Sequence, residues 1–180
     1  MTFIFNRIWA MPNGKTFTIK PIKDLVERYI PTCSVIIDPF ANQSKYGTIT
    51  NDLNPEFDTN FHMDALEFLK TIESDSADAV LYDPPYSISQ ASQLYKEFGR
   101  DKLEVSVSHM AYWAKCKDEV ARILKVDGIA IICGWSSNGV GKGRGFELIE
   151  LLLVPHGGSK NDTIVTVEKK LVINDGIDGN

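Results

Sequence analysis

Residues 79–86 read AVLYDPPY: a short apolar run, then an acid, two prolines and a tyrosine. The run is the length of a buried strand. Proline has no N–H for a ladder, so the strand must end at Asp83. Similar runs lie on either side. Residues 33–38 (CSVIID) and 47–52 (GTITND) are also strands that end in an acid, and residues 128–134 (GIAIICG) read as a strand buried on both faces. Between them the apolar spacing turns helical. Ile22, Leu25, Val26 and Tyr29 share one helix face, which Pro21 opens and Pro31 closes. Ala65, Leu66, Leu69 and Ile72 give a short helix after Asp64. Met110, Trp113, Val120, Ile123 and Leu124 line a longer one. Residues 148–154 and 163–167 flank the turn-rich HGGSKND and read as a hairpin. Strands alternating with helices imply an α/β fold: a mainly parallel sheet covered by helices on both faces.

In such a sheet ligands sit at the carboxyl ends of the strands. Asp38, Asp52 and Asp83 lie at that edge, with Asp64 at or near it. The Asp83-Pro84-Pro85-Tyr86 corner holds a carboxylate, a carbonyl and an aromatic ring near one point. The carboxylate and the Pro84 carbonyl can each accept an N–H, and the tyrosine can stack on a flat ring. The set suits an amino group attached to a nucleic-acid base, and a base in a duplex would have to be flipped out to reach it.

Length and composition bound the rest. The chain has 180 residues, enough for one domain over residues 1–170, with residues 171–180 a frayed tail. No apolar run approaches the roughly 20 residues of a membrane span, and the start does not resemble a secretory signal. The three cysteines, Cys33, Cys116 and Cys133, are far apart and read as free thiols of a reducing compartment. No Cys/His spacing suggests a metal. A net charge of −5 counts against tight binding of nucleic acid through phosphates alone, though not against a local basic face.

The acid-proline-proline-tyrosine corner resembles that of the class I S-adenosylmethionine-dependent amino-methyltransferases of DNA. The resemblance runs from about Phe17 to Lys170. Residues 18–30 (TIKPIKDLVERYI), followed by Asp38-Pro39-Phe40, are similar to that family's paired cofactor-binding stretch. NRIWAMPNGKTF before that helix, and residues 145–165 (GFELIELLLVPHGGSKNDTIV), resemble small phage-encoded adenine methyltransferases. The resemblance implies a seven-stranded Rossmann-like sheet whose last hairpin is antiparallel. It implies S-adenosylmethionine as cofactor and DNA as partner, with adenine N6 as the acceptor and the cytoplasm (a host's, if phage-encoded) as the location.

Carried over residue by residue, Asp38, Pro39 and Phe40 lie near the methionine part of the cofactor. Asp52 binds the ribose hydroxyls, Asp64 lies near the adenine amino group, and Asp83 to Tyr86 are catalytic. The family's glycine-rich turn after D-P-F is absent. Ala41-Asn42-Gln43-Ser44 stands in its place, with Asn42 able to replace one glycine in a left-handed turn and Lys20 or the segment from Trp9 to Thr16 able to close the pocket.

Basic residues offer substrate contacts. Lys96 and Arg100 fall in residues 87–108, which read equally as a surface loop or a substrate-facing lid. Lys142 and Arg144 fall in GVGKGRG (139–145), which matches no phosphate-loop pattern. A flexible basic loop is the plainer reading there, and contact with substrate phosphates the sharper one. His62, His109 and His156 read as structural, and Trp9 and Trp135 read as core rather than pocket. Competing functions are methylation of an RNA base such as guanine N2, of cytosine N4, or a non-catalytic subunit on the same fold. Specific complexes bury roughly 1,000 Å² or more of protein, so so small a domain is expected either to dimerise or to select sites loosely.

Overall fold

A computed structural model describes residues 2–87, 109–158 and 160–172, together with Ser89, Gln90, Gln93 and Glu97. Lys96 and Arg100 lie outside the described residues. The strands are β1 (Ile4–Arg7), β2 (Ile36–Asp38), β3 (Ile49–Thr50), β4 (Ala77–Tyr82), β5 (Leu124–Gly134), β6 (Phe146–Val154) and β7 (Thr163–Lys170); the helices are α1 (Lys20–Tyr29), α2 (Ala65–Thr71) and α3 (His109–Ile123). The seven strands form one sheet in the order β1-β6-β7-β5-β4-β2-β3. Only β7 runs antiparallel to its neighbours, β5 and β6, so the last hairpin forms as expected.

Each element follows from its residues. In α1, Pro21 occupies the first turn and the helix ends at Ile30, before Pro31. Its buried face (Ile22, Leu25, Val26) packs on one side of the sheet against Leu81, Ile131, Cys133, Leu152 and Val167. Helices α2 and α3 cover the other side, where Phe68, Leu69, Cys116 and Val120 meet Ile37, Val80, Tyr82 and Ile132. Alternate residues of β4 and β5 thus enter opposite cores, as a strand's two-residue period requires. Gly47 lets β3 close on β2, since a Cβ there would stand 2.8 Å from the Asp38 Cβ and from Thr50 Cγ2.

Six of the seven strands lie where the sequence places them. No full strand precedes Asp64; a single bridge, Asn51 to Phe61, marks that place. The count is completed instead by β1, which the sequence reading did not find. It pairs parallel with β6, Ile4 opposite Glu150 and Arg7 opposite Leu153. Glu150, almost fully buried, ties β1 and α1 to β6. Its carboxylate accepts hydrogen bonds from Asn6 Nδ2 (3.1 Å), Arg28 (2.7 Å) and the Tyr29 hydroxyl (2.8 Å). Burial, aided by this carboxylate, pushes the Tyr29 hydroxyl up to about 12. Removing one partner of a buried charged network costs about 1–3 kcal/mol. Glu150→Ala should therefore lower unfolding stability by about that amount in a urea titration, and Glu150→Gln by less.

Candidate active site

Strands β2, β3 and β4 run parallel, so their carboxyl ends share one edge, and Asp38, Asp52 and Asp83 meet there. Two cavities open at this edge. One, of about 540 Å³, is lined by Pro39, Asn51, Asp52, Phe57, Met63, Trp113 and the whole Asp83–Tyr86 corner. The other, of about 400 Å³, lies between residues 14–18 and 40–46. Thr16, Phe40, Asn42 and Asp83 line both, so the cavities adjoin at Asp83.

At the corner, the Tyr86 hydroxyl donates to Asp83 Oδ1 at 2.5 Å, and the Tyr86 ring meets Trp135 edge-on at 5.7 Å. Gln90 Oε1 accepts the Tyr86 backbone N–H at 2.9 Å. Burial pushes the Asp83 carboxyl above the usual carboxylate range, opposed by the Tyr86 hydrogen bond. Burial, and then the Asp83 charge, pushes the Tyr86 hydroxyl far above its ordinary value.

Asp52 is half-buried. Its Oδ2 accepts the Asn42 N–H at 2.8 Å and its Oδ1 the Asn54 N–H at 2.9 Å. Each oxygen keeps a lone pair for a further donor. Burial pushes this carboxyl up as well. The loop that lacks glycines is rebuilt as the sequence suggested: Asn42 takes φ 49°, the left-handed turn that a glycine would otherwise supply. The N–H so presented is the one Asp52 holds.

Asp38 is fully buried. Its Oδ1 accepts the Phe40 N–H at 3.2 Å, and its Oδ2 has no hydrogen-bond partner. Burial first, then the Asp83 charge, raises its carboxyl to about 8. Phe40 continues the wall, edge-on to Tyr82 at 5.2 Å and tilted to Trp113 at 5.9 Å.

Several expectations need correction. Asp64 caps α2: its Oδ1 accepts the Leu66 and Glu67 N–H groups and its Oδ2 the Tyr112 hydroxyl at 2.8 Å. It lines neither cavity. Lys20 is 84% exposed, paired with Asp24 at 2.7 Å, and lines neither cavity. Lys142 and Arg144 sit at the opposite edge of the sheet, since Gly145 leads into the start of β6 beside Leu171. Arg144 bonds Asp118 and the carbonyls of Val140 and Ala114. The glycine-rich loop there does cradle an anion, but it is the chain's own Glu168, which accepts the Val140 and Gly141 N–H groups. Trp9 and Trp135 are exposed, not core. Cys116 and Cys133 are buried and Cys33 is half-buried, all three as free thiols. His156 is structural, between the Ala10 carbonyl and Thr163.

One cavity residue was missed. Asn51 holds the strand ends together, bonding the Pro39 carbonyl and both backbone groups of Met63. Its only signal was its place beside Asp52. Thr16, the end of the segment read as able to close the pocket, lines both cavities. Among the described residues no cluster of His, Cys, Asp and Glu could hold a metal, and no helix is long and apolar enough to cross a membrane.

No protein-family model and no curated protein sequence matches the chain. Solved structures do. TrmN from Thermus thermophilus superposes with a TM-score of 0.55 at 16% identity over 85% of this chain. The 1,6-didemethyltoxoflavin-N1-methyltransferase of Burkholderia thailandensis, solved with bound 1,6-didemethyltoxoflavin and S-adenosylhomocysteine, gives a TM-score of 0.56 at 12% identity, covering 84% of this chain and 77% of its own. The chain spans about half the length of the Thermus protein, 49%. The fold is the Rossmann-like methyltransferase fold.

The buried Asp38 gives a test that needs no ligand. Its folded pKa lies above the unfolded one, so the stability it contributes is complete below about 4 and is lost as pH rises through about 8. Asp38→Asn removes that loss. Its melting temperature should gain on the parent's steadily between pH 4 and 8, by on the order of several degrees at the top. Parallel melting curves for the two proteins across this range would contradict the buried-acid assignment.

Proposed function

We propose that this chain transfers a methyl group from S-adenosylmethionine to the exocyclic amino group of a nucleic-acid base, N6 of adenine in DNA being the acceptor we favour. One observation carries the reading: the Asp83-Pro84-Pro85-Tyr86 corner and Asp52 line one cavity, with Asp83 at its junction with the second. The donor set fits the cofactor. Asp52 can accept the two hydroxyls of a ribose, as acids do in dinucleotide folds. Phe57, Met63 and Pro39 offer apolar walls to an adenine. Phe40 and Asn42 form the floor toward the methionine part, and Asp38, buried and lining neither cavity, holds the Phe40 N–H from behind. When bound, the cofactor supplies an electrophilic methyl on a sulfonium that departs as a neutral thioether.

The chain's own residues do the rest. Asp83 and the Pro84 carbonyl each accept one N–H of the amine, so the nitrogen lone pair leaves the plane of the base toward the methyl. The two prolines fix both acceptors in place before substrate arrives, so catalysis comes from positioning and electrostatics. Tyr86 stacks on the base, and its hydroxyl leaves Asp83 Oδ2 for the amine. As the new C–N bond forms, the nitrogen becomes positive beside Asp83. The proton it then sheds passes to that carboxylate, whose proton affinity burial has already raised. Phe40 and Trp113 wall the junction against water.

The test is incubation with labelled cofactor and separate DNA and RNA pools, followed by nucleoside mass spectrometry. N6-methyladenine from DNA is expected; label confined to RNA would move the assignment to an RNA base. Asp83→Ala should cut turnover on the order of 10²–10⁴-fold while cofactor affinity stays within a few-fold. Asp52→Ala should weaken cofactor binding roughly 10–100-fold, the loss of charged hydrogen bonds. Near-normal turnover in Asp83→Ala would overturn the mechanism.

A further inference from the structure

Of the large apolar side chains that stand exposed, six fall within residues 3–11: Phe3 (51%), Ile4, Phe5 (57%), Ile8, Trp9 (60%) and Met11. They surround β1, the outermost strand of the sheet. The Ile8 N–H goes to the Leu153 carbonyl and the Ala10 N–H to the Pro155 carbonyl, so the even-numbered residues bond inward to β6. Strand alternation then turns the N–H and C=O of Phe3, Phe5, Arg7 and Trp9 outward, where no other described strand pairs with them. Open apolar edges invite another strand, and proteins usually blunt them with charge, proline or a bulge. Here Arg7 is the one charged residue of the strand.

The geometry points to a second copy of this chain as the occupant, paired β1 to β1 antiparallel about a two-fold axis at Asn6. Only odd residues can exchange hydrogen bonds across this edge, which leaves few registers. Centring on Arg7 would oppose the two arginines, at a cost. Centring on Phe5 would put Ile4 against Asn6. Centring on Asn6 opposes Phe3 to Trp9 of the second copy, Phe5 to Arg7 and Ile4 to Ile8, with the two asparagines on the axis. Each pair is favourable: aromatic with aromatic, cation over ring, aliphatic with aliphatic. The six half-exposed side chains offer on the order of 600 Å² per copy, close to the roughly 800 Å² per partner of a stable interface. The dimer is a continuous sheet of twice seven strands. Its halves run in opposite directions, so the two Asp83 corners face opposite edges, and each copy meets its own substrate.

Light scattering on the eluting full chain should give about 40 kDa, twice the 20.1 kDa of one copy. Phe5→Lys should return it to one copy. So should Arg7→Pro, which removes an outward N–H that β6 does not use. Unchanged circular dichroism and thermal melting in these variants show that the fold survives. If both misfold, the register is read from cysteine cross-linking instead. In a Cys33→Ser background, Asn6→Cys should form an intermolecular disulfide under mild oxidation, being its own neighbour across the axis, and Met11→Cys should not. A chain that runs as a single copy at 0.1 mM overturns the proposal. So does a dimer that persists in Phe5→Lys, or one that appears only when residues 173–180 are deleted.

Discussion

Parallel strands end together, and in this chain an acid stands at or just beyond the end of three of them. Asp38, Asp52 and Asp83 are held at one sheet edge by the register of β2, β3 and β4. Burial penalises a charge and pushes each of the three carboxyls above its ordinary range, and at Asp38 the Asp83 and Asp52 charges add to the shift. Nothing in the packing of the fold needs this arrangement. It destabilises the chain at neutral pH, and the core formed by α1, α2 and α3 on the sheet outweighs it. Charge concentrated against the interest of the fold is the physical reason to look for function there.

The surroundings manage that charge rather than neutralise it. No cation pairs with the three acids in any described ion pair. Backbone N–H groups serve instead: Phe40 to Asp38, Asn42 and Asn54 to Asp52. The left-handed turn at Asn42 is therefore part of the site, since it aims an N–H at the acid of the next strand. At the corner a side-chain hydroxyl does this work, from Tyr86 to Asp83. Such donors hold the carboxylates in place while leaving lone pairs free for hydroxyls and amines. A lysine or arginine would have claimed them.

Much of this was legible in the sequence, wherever the signal was local. Pro21 and Pro31 bound α1, the prolines after Asp83 end β4, and Asn42 shows its turn by being the residue most like glycine in that loop. The misses have one cause, which is that they depend on residues far apart in the chain. β1 is four residues long and becomes a strand only by pairing with β6, more than 140 residues later. GVGKGRG looked like a substrate loop because nothing nearby shows that Glu168 fills it. Asp64 was read as a ligand only through the resemblance, and its role as the cap of α2, bonded also to the Tyr112 hydroxyl, depends on a residue 48 positions away. The tryptophans failed likewise: their size suggested burial, but Trp9 and Trp135 follow the ends of β1 and β5 and stand exposed.

The account rests on where a sulfonium methyl would stand relative to Asp83. A crystal structure of the chain with S-adenosylhomocysteine measures this directly. The sulfur should lie at the junction of the two cavities, facing Asp83 and Pro84, with the ribose hydroxyls on Asp52. A cofactor bound with its sulfur remote from Asp83, or its ribose away from Asp52, would contradict the account.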